Sequence, residues 1–543
     1  TQLACAKHFA AYGAVEAGRD YNTVDLSERP LRALPLPPFH AAVQAGVETF
    51  MASFNEVNGV PAHANRRLMT DILRDQWGFA GFVVSDYTGV MELMKHGVAA
   101  NDAEAGLLAL RAGIDMDMVS GIYANDLPAA VKSGRLEEQI VDAAVRRVLR
   151  AKHKVGIMDD PFRYCNAERE RTLLLTDEHR TVARKLAAES IVLLKNAEQT
   201  LPLSPELGTI AVIGALADYN RAMLGGWALD GRAEDAITIL TGIKQAVSPR
   251  TKVLFAKGAE AKGNDRSHFQ EAIDIVSQAD AVVLVVGEDF DMSSDANNRT
   301  SIDLPGVQRE LAQALQGTGK PLVVVLVNGR PLAVPWLDEH VPAILETWFL
   351  GVEAGNAIAD VLFGQANPSG KLPVTFPRNV GQIPIYYNHK NTGRPPDPED
   401  KYTSKYLDVH WTPLYPFGHG LSYTTFVYDA LRIHADTIRA DQRLDVEIDV
   451  RNAGGRAGAE VVQLYVRDDV ASVTRPVKEL RRFARIELEP GESHTVKFTL
   501  TPPDLAYYDL DMQYVVEPGE FTLFAGGSSD TALEKNFKVV TDE

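Results

Sequence analysis

The hydrophobic positions of the chain follow three successive patterns, and the first covers residues 1–158. Short apolar runs alternate there with amphipathic segments. The runs at 50–54 and 82–84 predict buried strands, and 114–118 is a further strand candidate. Apolar residues at helical spacing predict helices over 102–112, with Asn101 or Asp102 as N-cap and Gly113 just past its end, and over 136–155. Strand–helix alternation of this kind predicts a parallel sheet with crossover helices.

The second pattern covers residues 181–377 and contains longer, uniformly apolar runs. They lie at 210–214, 281–286 and 322–327. Runs of this kind are typical of parallel strands that are covered on both faces, so we predict an α/β sandwich.

Two polar segments flank this α/β region. Residues 159–180 are irregular in pattern and predict a linker. Residues 378–425 are rich in Pro, Gly, Tyr and charge, which predicts a long ordered loop with a functional or connecting role.

The third pattern, over residues 426–543, has a period of two. Apolar side chains alternate with polar ones around 444–450, 462–466 and 496–500, and Gly-rich turn signals lie between these runs. The pattern predicts an antiparallel β-sandwich of immunoglobulin or fibronectin type III character.

Length and charge narrow the class of protein. A chain of 543 residues suggests three or four domains. Its formal net charge of -18 argues against nucleic-acid binding and against docking on an anionic membrane. No apolar stretch is long enough to predict a membrane span. The two cysteines, Cys5 and Cys165, are too few for a disulfide framework.

Two polar groups stand at predicted strand ends, where ligands bind in parallel α/β folds. Asp86 follows the run at 82–84, and Lys7 and His8 stand near the start of the chain. Taken alone, Asp86 could equally cap the next helix, and Lys7–His8 could be a surface pair. There is no Cys/His cluster with metal-ligand spacing and no phosphate-binding glycine loop, so neither a metal nor another cofactor is predicted.

Several longer motifs occur in a fixed order and together are specific. They are KHFAAYG at 7–13, ASFNEVNG at 52–59, LRDQWGFAGFVVSDY at 73–87, VNGRP at 327–331, ANPSGKLP at 366–373 and YPFGHGLSY at 415–423. In this combination the chain resembles glycoside hydrolase family 3. The resemblance covers essentially the whole chain.

The resemblance implies a fold and a mechanism. The fold is a TIM-type (β/α)₈ barrel, an α/β sandwich and a fibronectin type III-like domain. The mechanism is retaining hydrolysis, in which one carboxylate forms a glycosyl-enzyme and a second acts as acid and then base. The nucleophile corresponds to Asp86. The substrate-binding residues implied are Lys7, His8, Met51, Ser53 and Tyr87. For Met51 and Ser53, plain core packing is an equal alternative.

The implied acid/base lies in the loop after the 281–286 strand, and here the chain departs from its relatives. Related enzymes carry a Glu four residues before an Arg, where this chain has Asp295 before Arg299. Glu288, at the strand end, is the competing candidate, and a solvated acidic loop is the third interpretation. A second departure is Phe54, where many family members have a Tyr near the nucleophile.

The position of the motifs implies a particular domain arrangement. A full barrel takes about 250 residues, whereas about 158 precede the predicted linker. The Lys–His motif falls past the middle of the barrel in the family, yet here it begins at residue 7. We therefore expect residues 1–158 to be the second half of a barrel, with upstream residues belonging to it; a naturally shortened barrel is the alternative.

The function implied by the resemblance is that of an exo-acting β-glucosidase. Its substrate would be a short, cellobiose-like oligosaccharide, and its location would be periplasmic or secreted. The alternatives are a β-xylosidase, another exo-β-glycosidase or a catalytically silent carbohydrate-binding protein. The motifs support an N-acetylglucosaminidase less than they support these. The loop over 388–416, rich in His, Tyr and Trp, could line outer sugar subsites, in this chain or across a homodimer.

Overall fold

The computed structural model describes residues 2–531 and 533–541. It divides into two units, Thr1–Leu174 (unit 1) and Leu175–Glu543 (unit 2). The division falls inside the segment 159–180 that the sequence predicts as a linker. The expectation that this segment is irregular is wrong in part, because residues Ala167–Leu173 form a helix and another begins at Asp177.

The strands of unit 1 form one small parallel sheet and one hairpin. They are β1 (Cys5–Phe9), β2 (Thr49–Ala52), β3 (Glu56–Val57), β4 (Val60–Pro61) and β5 (Phe82–Val84). Strands β1, β2 and β5 pair in parallel in that order, while β3 and β4 form the hairpin. The strands predicted near 50–54 and at 82–84 are confirmed. The candidate at 114–118 is not a strand, because it pairs with β5 only at Met116, opposite Val84.

Helices connect and cover this sheet. They are α1 (Glu28–Ala33), α2 (Leu36–Gln44), a π-type helix (Arg67–Gln76), α3 (Gly89–Glu92), α4 (Asp102–Ala112), α5 (Ile122–Lys132), α6 (Glu138–Lys154) and α7 (Ala167–Leu173). Helix α4 confirms the predicted caps, since Asn101 Oδ1 accepts the Glu104 N–H at 3.1 Å and Gly113 follows with a φ of 116°. The helix predicted over 136–155 is confirmed as α6.

A buried cluster of charged side chains is hydrogen-bonded to the backbone of β5 and of the residue before it. The Asp115 carboxylate accepts hydrogen bonds from Arg74 at 2.6 Å, from Arg147 at 2.7 Å and from the Val83 N–H at 2.9 Å. Arg74 also donates to the Gly81 carbonyl at 2.9 Å. Burial raises the pKa of Asp115 and lowers the pKa of Arg74. The network fixes the position of the strand that leads to Asp86.

Unit 2 begins with a six-stranded sheet. Its strands are β6 (Val192–Asn196), β7 (Thr209–Ile213), β8 (Lys252–Ala256), β9 (Ala281–Gly287), β10 (Leu322–Val327) and β11 (Ala343–Glu346). The order is β6-β11-β10-β9-β7-β8, with β6 antiparallel to β11 and the other pairs parallel. The three predicted runs correspond to β7, β9 and β10, which occupy inner positions and are almost wholly buried.

Helices lie between these strands in the chain and enclose two hydrophobic clusters, one on each side of the sheet. They are α8 (Asp177–Ser190), α9 (Asn220–Leu224), α10 (Ile239–Ala246), α11 (Phe269–Ser277), α12 (Gln308–Gln316), α13 (Pro335–His340) and α14 (Ala354–Leu362). The predicted sandwich of helices around a buried sheet is therefore confirmed. In this arrangement the loop after β9 leaves the carboxyl edge of the sheet next to β7 and β10.

The segment 378–425 contains one short 3₁₀ turn, Val380–Gln382, among otherwise irregular structure. The rings of Tyr387 and Phe417 stack with centroids 4.4 Å apart, and Tyr415 pairs with Phe376 through an isolated bridge. Most of residues 378–425 therefore lie outside regular helices and strands, and ring contacts pack part of the segment.

The rest of unit 2 is an antiparallel sandwich. Its elements are β12 (Phe426–Ile433), β13 (Thr437–Arg439), β14 (Leu444–Asn452), β15 (Gly458–Asp468), β16 (Glu479–Leu488), β17 (Ser493–Leu500), α15 (Pro502–Leu505), β18 (Tyr507–Tyr508), β19 (Tyr514–Val515), β20 (Gly519–Gly526) and β21 (Leu533–Val540). One sheet has the order β12-β14-β17 and the other β13-β21-β20-β15-β16. Every second side chain of β14 is buried, which confirms the period of two. Within the described part of the chain, no helix has the length and apolar character needed to cross a bilayer.

Candidate active site

Asp86 lies two residues beyond the end of β5, and the residue before it, Ser85, is fixed by two hydrogen bonds. Ser85 donates its N–H to the Met116 carbonyl at 2.9 Å and accepts the Met118 N–H on its hydroxyl at 2.8 Å. The Asp86 side chain is largely shielded from solvent, since the residue is only 8% exposed. The strand end therefore places a carboxylate in a sheltered position.

Three neighbours orient Asp86. The Tyr87 N–H donates to Oδ1 at 2.8 Å, and His8 Nε2 lies 3.3 Å from Oδ2. The Asp86 N–H donates to His63 Nε2 at 3.0 Å. The interpretation of Asp86 as a helix cap is wrong, because α3 begins after Thr88 and the cap has no side-chain hydrogen bond. The carboxylate is instead oriented by the groups around it.

His63 is a buried neighbour of Asp86 that was not predicted from the sequence. It is 2% exposed, and burial, reinforced by the nearby charge of His96, lowers its pKa to about 3. The ring is therefore neutral at physiological pH, and since Nε2 accepts the Asp86 N–H, the ring proton is on Nδ1. A Cβ at Gly89 would overlap this ring. In the sequence, the one sign of this close packing is the glycine at position 89, three residues after Asp86.

Aromatic side chains line the same region of unit 1. The ring of Tyr12 lies 5.3 Å from that of His8 and 5.8 Å from that of Phe54. Phe54 is also 5.1 Å from Tyr21 and 6.5 Å from His63. The Tyr12 hydroxyl donates to Asp20, and burial together with this carboxylate raises the pKa of Tyr12 well above its ordinary value. Phe54 adds an aromatic ring to this group of side chains, but it has no hydroxyl that could donate to Asp86.

The other predicted substrate-binding residues differ in their surroundings. Tyr87 is 60% exposed, Lys7 is exposed on β1, and Met51 is half-buried on β2. Ser53 is 0% exposed, and its hydroxyl donates to the Ala10 carbonyl at 3.0 Å. Its burial and this bond favour the core-packing alternative for Ser53, which secures the turn after β1.

Glu288, the alternative acid/base, is buried in unit 2 directly after β9. It is 0% exposed. Arg299 Nη1 donates to Oε1 at 2.6 Å, and Arg330 Nε lies 3.0 Å from the same oxygen. The Gly329 N–H donates to Oε2 at 3.4 Å. Both oxygens are occupied and shielded from solvent, which argues against Glu288 as the group that protonates a leaving oxygen.

Asp295 is exposed on a turn of the same loop, before Ala296, whose φ is 60°. The turn is closed by Asn297, whose N–H donates to the Ser294 carbonyl at 3.1 Å. Asp289 and Asp291 both pair with Lys262, whereas Asp295 forms no ion pair within residues 2–531 and 533–541. Among the four carboxylates of residues 288–295, Asp295 is therefore the one that is exposed and has no ion pair in the described part of the chain.

Comparisons with known proteins place the chain in a family. The sequence profile of the glycosyl hydrolase family 3 N terminal domain matches residues 2–151, and that of the C-terminal domain matches 191–423. A fibronectin type III-like profile matches 460–529. The chain is 46% identical to a periplasmic β-glucosidase of Salmonella typhimurium, covering 98% of this chain and 73% of that protein. The chain belongs to glycosyl hydrolase family 3.

Other similar members of glycosyl hydrolase family 3 include both glucosidases and xylosidases. A β-xylosidase of Formosa agariphila is 42% identical over 97% of this chain and 74% of its own length. A mutant β-glucosidase of Listeria innocua, solved in complex with laminaribiose, is 40% identical with a TM-score of 0.95, covering 99% of this chain and 74% of that one. The same enzyme has been solved with isofagomine, at 41% identity and the same TM-score. The family and the three predicted fold types are thereby confirmed, whereas the site residues stay predictions.

Proposed function

We propose that this family 3 chain is a retaining, exo-acting β-glucosidase that releases terminal non-reducing β-D-glucosyl residues from short oligosaccharides. The observation that carries the proposal is the sheltered Asp86 carboxylate at the end of β5, oriented by the Tyr87 N–H at 2.8 Å and by His8 at 3.3 Å. A nucleophile needs this kind of fixed position because it must meet the anomeric carbon at a defined angle. The β-glucosidase names of the similar proteins support the choice of sugar.

In the first step, an Asp86 oxygen attacks C1 of the glucosyl unit and the C1–O bond to the leaving group breaks. The proton that the leaving oxygen needs comes from the carboxylic acid of Asp295. In the second step, the Asp295 carboxylate takes a proton from water while the water oxygen attacks C1 and releases Asp86. Two displacements at one carbon return the sugar with its β configuration retained.

The surrounding side chains are assigned to substrate binding. Lys7 and His8 donate to hydroxyl groups of the glucosyl unit, and Tyr87, with its exposed ring, packs against the departing sugar. Met51 contributes apolar surface from the neighbouring strand. Ser53 supports these residues from behind through its bond to the Ala10 carbonyl. The name of the Salmonella relative supports a periplasmic location.

The assignment of Asp86 is tested with an activated substrate and a trap. Asp86→Asn should lower kcat for 2,4-dinitrophenyl β-glucoside by about 10⁴-fold or more, because no other group can form the glycosyl-enzyme. A 2-fluoro-glucoside should label the peptide that contains Asp86 in the unaltered protein. A label on any other residue, or full turnover by the variant, would refute the assignment. Sugar binding without turnover in the unaltered protein would favour a silent binding protein.

The assignment of Asp295 requires a different pair of measurements. Asp295→Asn should lower kcat/KM for cellobiose by about 10²–10⁴-fold, since the poor leaving group needs a proton. Formation of the glycosyl-enzyme from the dinitrophenyl glucoside should change little, because that leaving group needs no proton. Azide should then restore turnover and yield β-glucosyl azide. Equal losses on both substrates would contradict the acid/base role.

A β-xylosidase is the second candidate, since a relative of this name is 42% identical over nearly the whole chain. The two sugars differ by the hydroxymethyl group on C5. Comparing kcat/KM for 4-nitrophenyl β-glucoside and β-xyloside decides between them, and a preference for the xyloside would replace the glucosidase proposal.

A further inference from the structure

The loop that carries Asp295 is held from the side by Arg330, which lies just after β10. Arg330 Nη2 donates to the Asn297 carbonyl at 2.9 Å and also to the Met292 carbonyl. These two carbonyls stand on either side of the segment 293–296. One guanidinium group therefore joins the two ends of the turn that presents Asp295.

Arg330 is itself held by Glu288. Its Nε lies 3.0 Å from Glu288 Oε1, and Arg299 Nη1 donates to the same oxygen at 2.6 Å. Arg299 also donates through Nη2 to the Asp303 carbonyl at 2.8 Å. Glu288, Arg299 and Arg330, here called the loop clamp, thus connect the start, the middle and the end of the loop 288–303.

Close backbone packing supports the turn on two further sides. A Cβ added to Gly226 would lie 2.8 Å from the Ser293 carbonyl oxygen and 2.9 Å from the Ser294 Cβ, and one added to Gly329 would overlap the Ser293 side chain. Only glycine leaves room for the loop at these positions. The turn is therefore packed against two neighbouring segments as well as hydrogen-bonded to Arg330.

The position of this turn matters more here than it would for a glutamate. An aspartate is one C–C bond shorter, about 1.5 Å, so the backbone of the turn decides whether the acid reaches its target. Proton transfer requires a heavy-atom distance of about 2.6–3.2 Å, and a displacement of about 1 Å can cost about 10²-fold in rate.

We propose that the loop clamp positions Asp295 for proton transfer, with Arg330 as the residue that sets the turn and Glu288 as the residue that sets Arg330. The inference rests on the proposed function, because it deepens the role of Asp295 as acid/base. Glu288, Arg299 and Arg330 are positioning residues, and none of them exchanges a proton with the substrate.

The alternative is that the clamp only neutralises a buried charge. A buried carboxylate requires compensation, and two guanidinium groups supply it wherever they point. Arg330→Lys separates the two ideas. The lysine keeps a positive charge for Glu288, but its single ammonium cannot take both the position of Nε beside Glu288 and the position of Nη2 at the two carbonyls.

The test compares kcat/KM for cellobiose with kcat/KM for 2,4-dinitrophenyl β-glucoside in the same preparation. The ratio does not depend on how much of the protein is folded, so a partly unfolded variant still gives an answer. Arg330→Lys and Glu288→Gln should lower the cellobiose value by about 10²-fold while the dinitrophenyl value changes by less than about threefold. A steeper dependence of rate on leaving-group pKa is the accompanying signature.

Arg184→Gln is the matched control, because Arg184 makes a bidentate pair with Asp360 in the same unit, at 2.6 and 2.5 Å, without touching the loop 288–303. Its substrate ratio should equal that of the unaltered protein. An unchanged ratio in Arg330→Lys, while Asp295→Asn shows the loss on cellobiose, would overturn the clamp and leave the proposed function standing. An unchanged ratio in Asp295→Asn itself would instead refute Asp295 as the acid.

Discussion

The buried carboxyl group of Glu346 gives a quantitative prediction for the pH dependence of the stability of unit 2. It is the last residue of β11 and is 0% exposed. Its Oε1 accepts the Trp348 N–H at 3.0 Å, and its Oε2 accepts from Asn328 Nδ2 at 3.1 Å. Burial, with a contribution from the negative charge of Glu288, raises the pKa of Glu346 from its ordinary 4.5 to about 8. The folded protein therefore keeps this side chain protonated at neutral pH.

The sign of the effect on stability follows from proton binding. Between pH 4.5 and 8, the unfolded chain has released this proton while the folded chain still holds it, so rising pH favours unfolding. The stability that comes from holding this proton in the folded state is fully present below pH 4.5. It is lost as the pH rises to about 8. At about 1.36 kcal/mol for each pH unit, the loss is about 4–5 kcal/mol.

Glu346→Gln removes this titration while keeping the shape of the side chain. We expect the stability of the variant relative to the unaltered protein to rise by about 4 kcal/mol between pH 5 and pH 8, in addition to a loss at every pH because the amide nitrogen cannot accept one of the two N–H bonds. The assay is urea unfolding followed by tryptophan fluorescence at several pH values, since Trp348 lies next to the group.

Glu339→Gln, which changes an exposed carboxylate of the same unit, controls for the loss of one charge. A stability difference between Glu346→Gln and the unaltered protein that does not change with pH would refute the raised pKa of Glu346. A variant that becomes less stable than the unaltered protein as pH rises would refute it as well.

Two further predictions concern the support of Asp86 in unit 1. Asp115→Asn should destabilise the unit by about 3–5 kcal/mol, because it leaves the guanidinium groups of Arg74 and Arg147 without their buried carboxylate. Thermal unfolding measures this loss of stability, and a change below about 1 kcal/mol would contradict the stabilising role of the network. Gly89→Ala should lower kcat on the dinitrophenyl glucoside by about 10²-fold, since its methyl group would overlap the His63 ring that holds the Asp86 N–H. Gly455→Ala, at a glycine with open space around it and no positive φ, is the control for adding a methyl group, and equal effects of both changes would refute the specific role of His63.

Much of the fold could be predicted from the sequence because the signals are local. The period of two in β14, the uniformly apolar runs of β9 and β10, and the caps of α4 at Asn101 and Gly113 each depend on neighbouring residues alone. The edge strand β8 was missed because its side chains are only half-buried, so its pattern is weak. The helix within 159–180 was missed because its surface is polar all round and exposed.

The sequence by itself determined the family and the order of the domains, and it predicted Asp86 as the nucleophile, because these depend on motifs that are contiguous in the chain. The tertiary structure decided which carboxylates are sheltered and which are exposed. It placed His63 against Asp86 across 23 residues and Arg330 against Glu288 across 42. Contacts of this range depend on how strands and loops pack, and no local pattern encodes them. That is why Glu288 looked like an acid in the sequence and is, in the structure, the buried centre of an arginine pair.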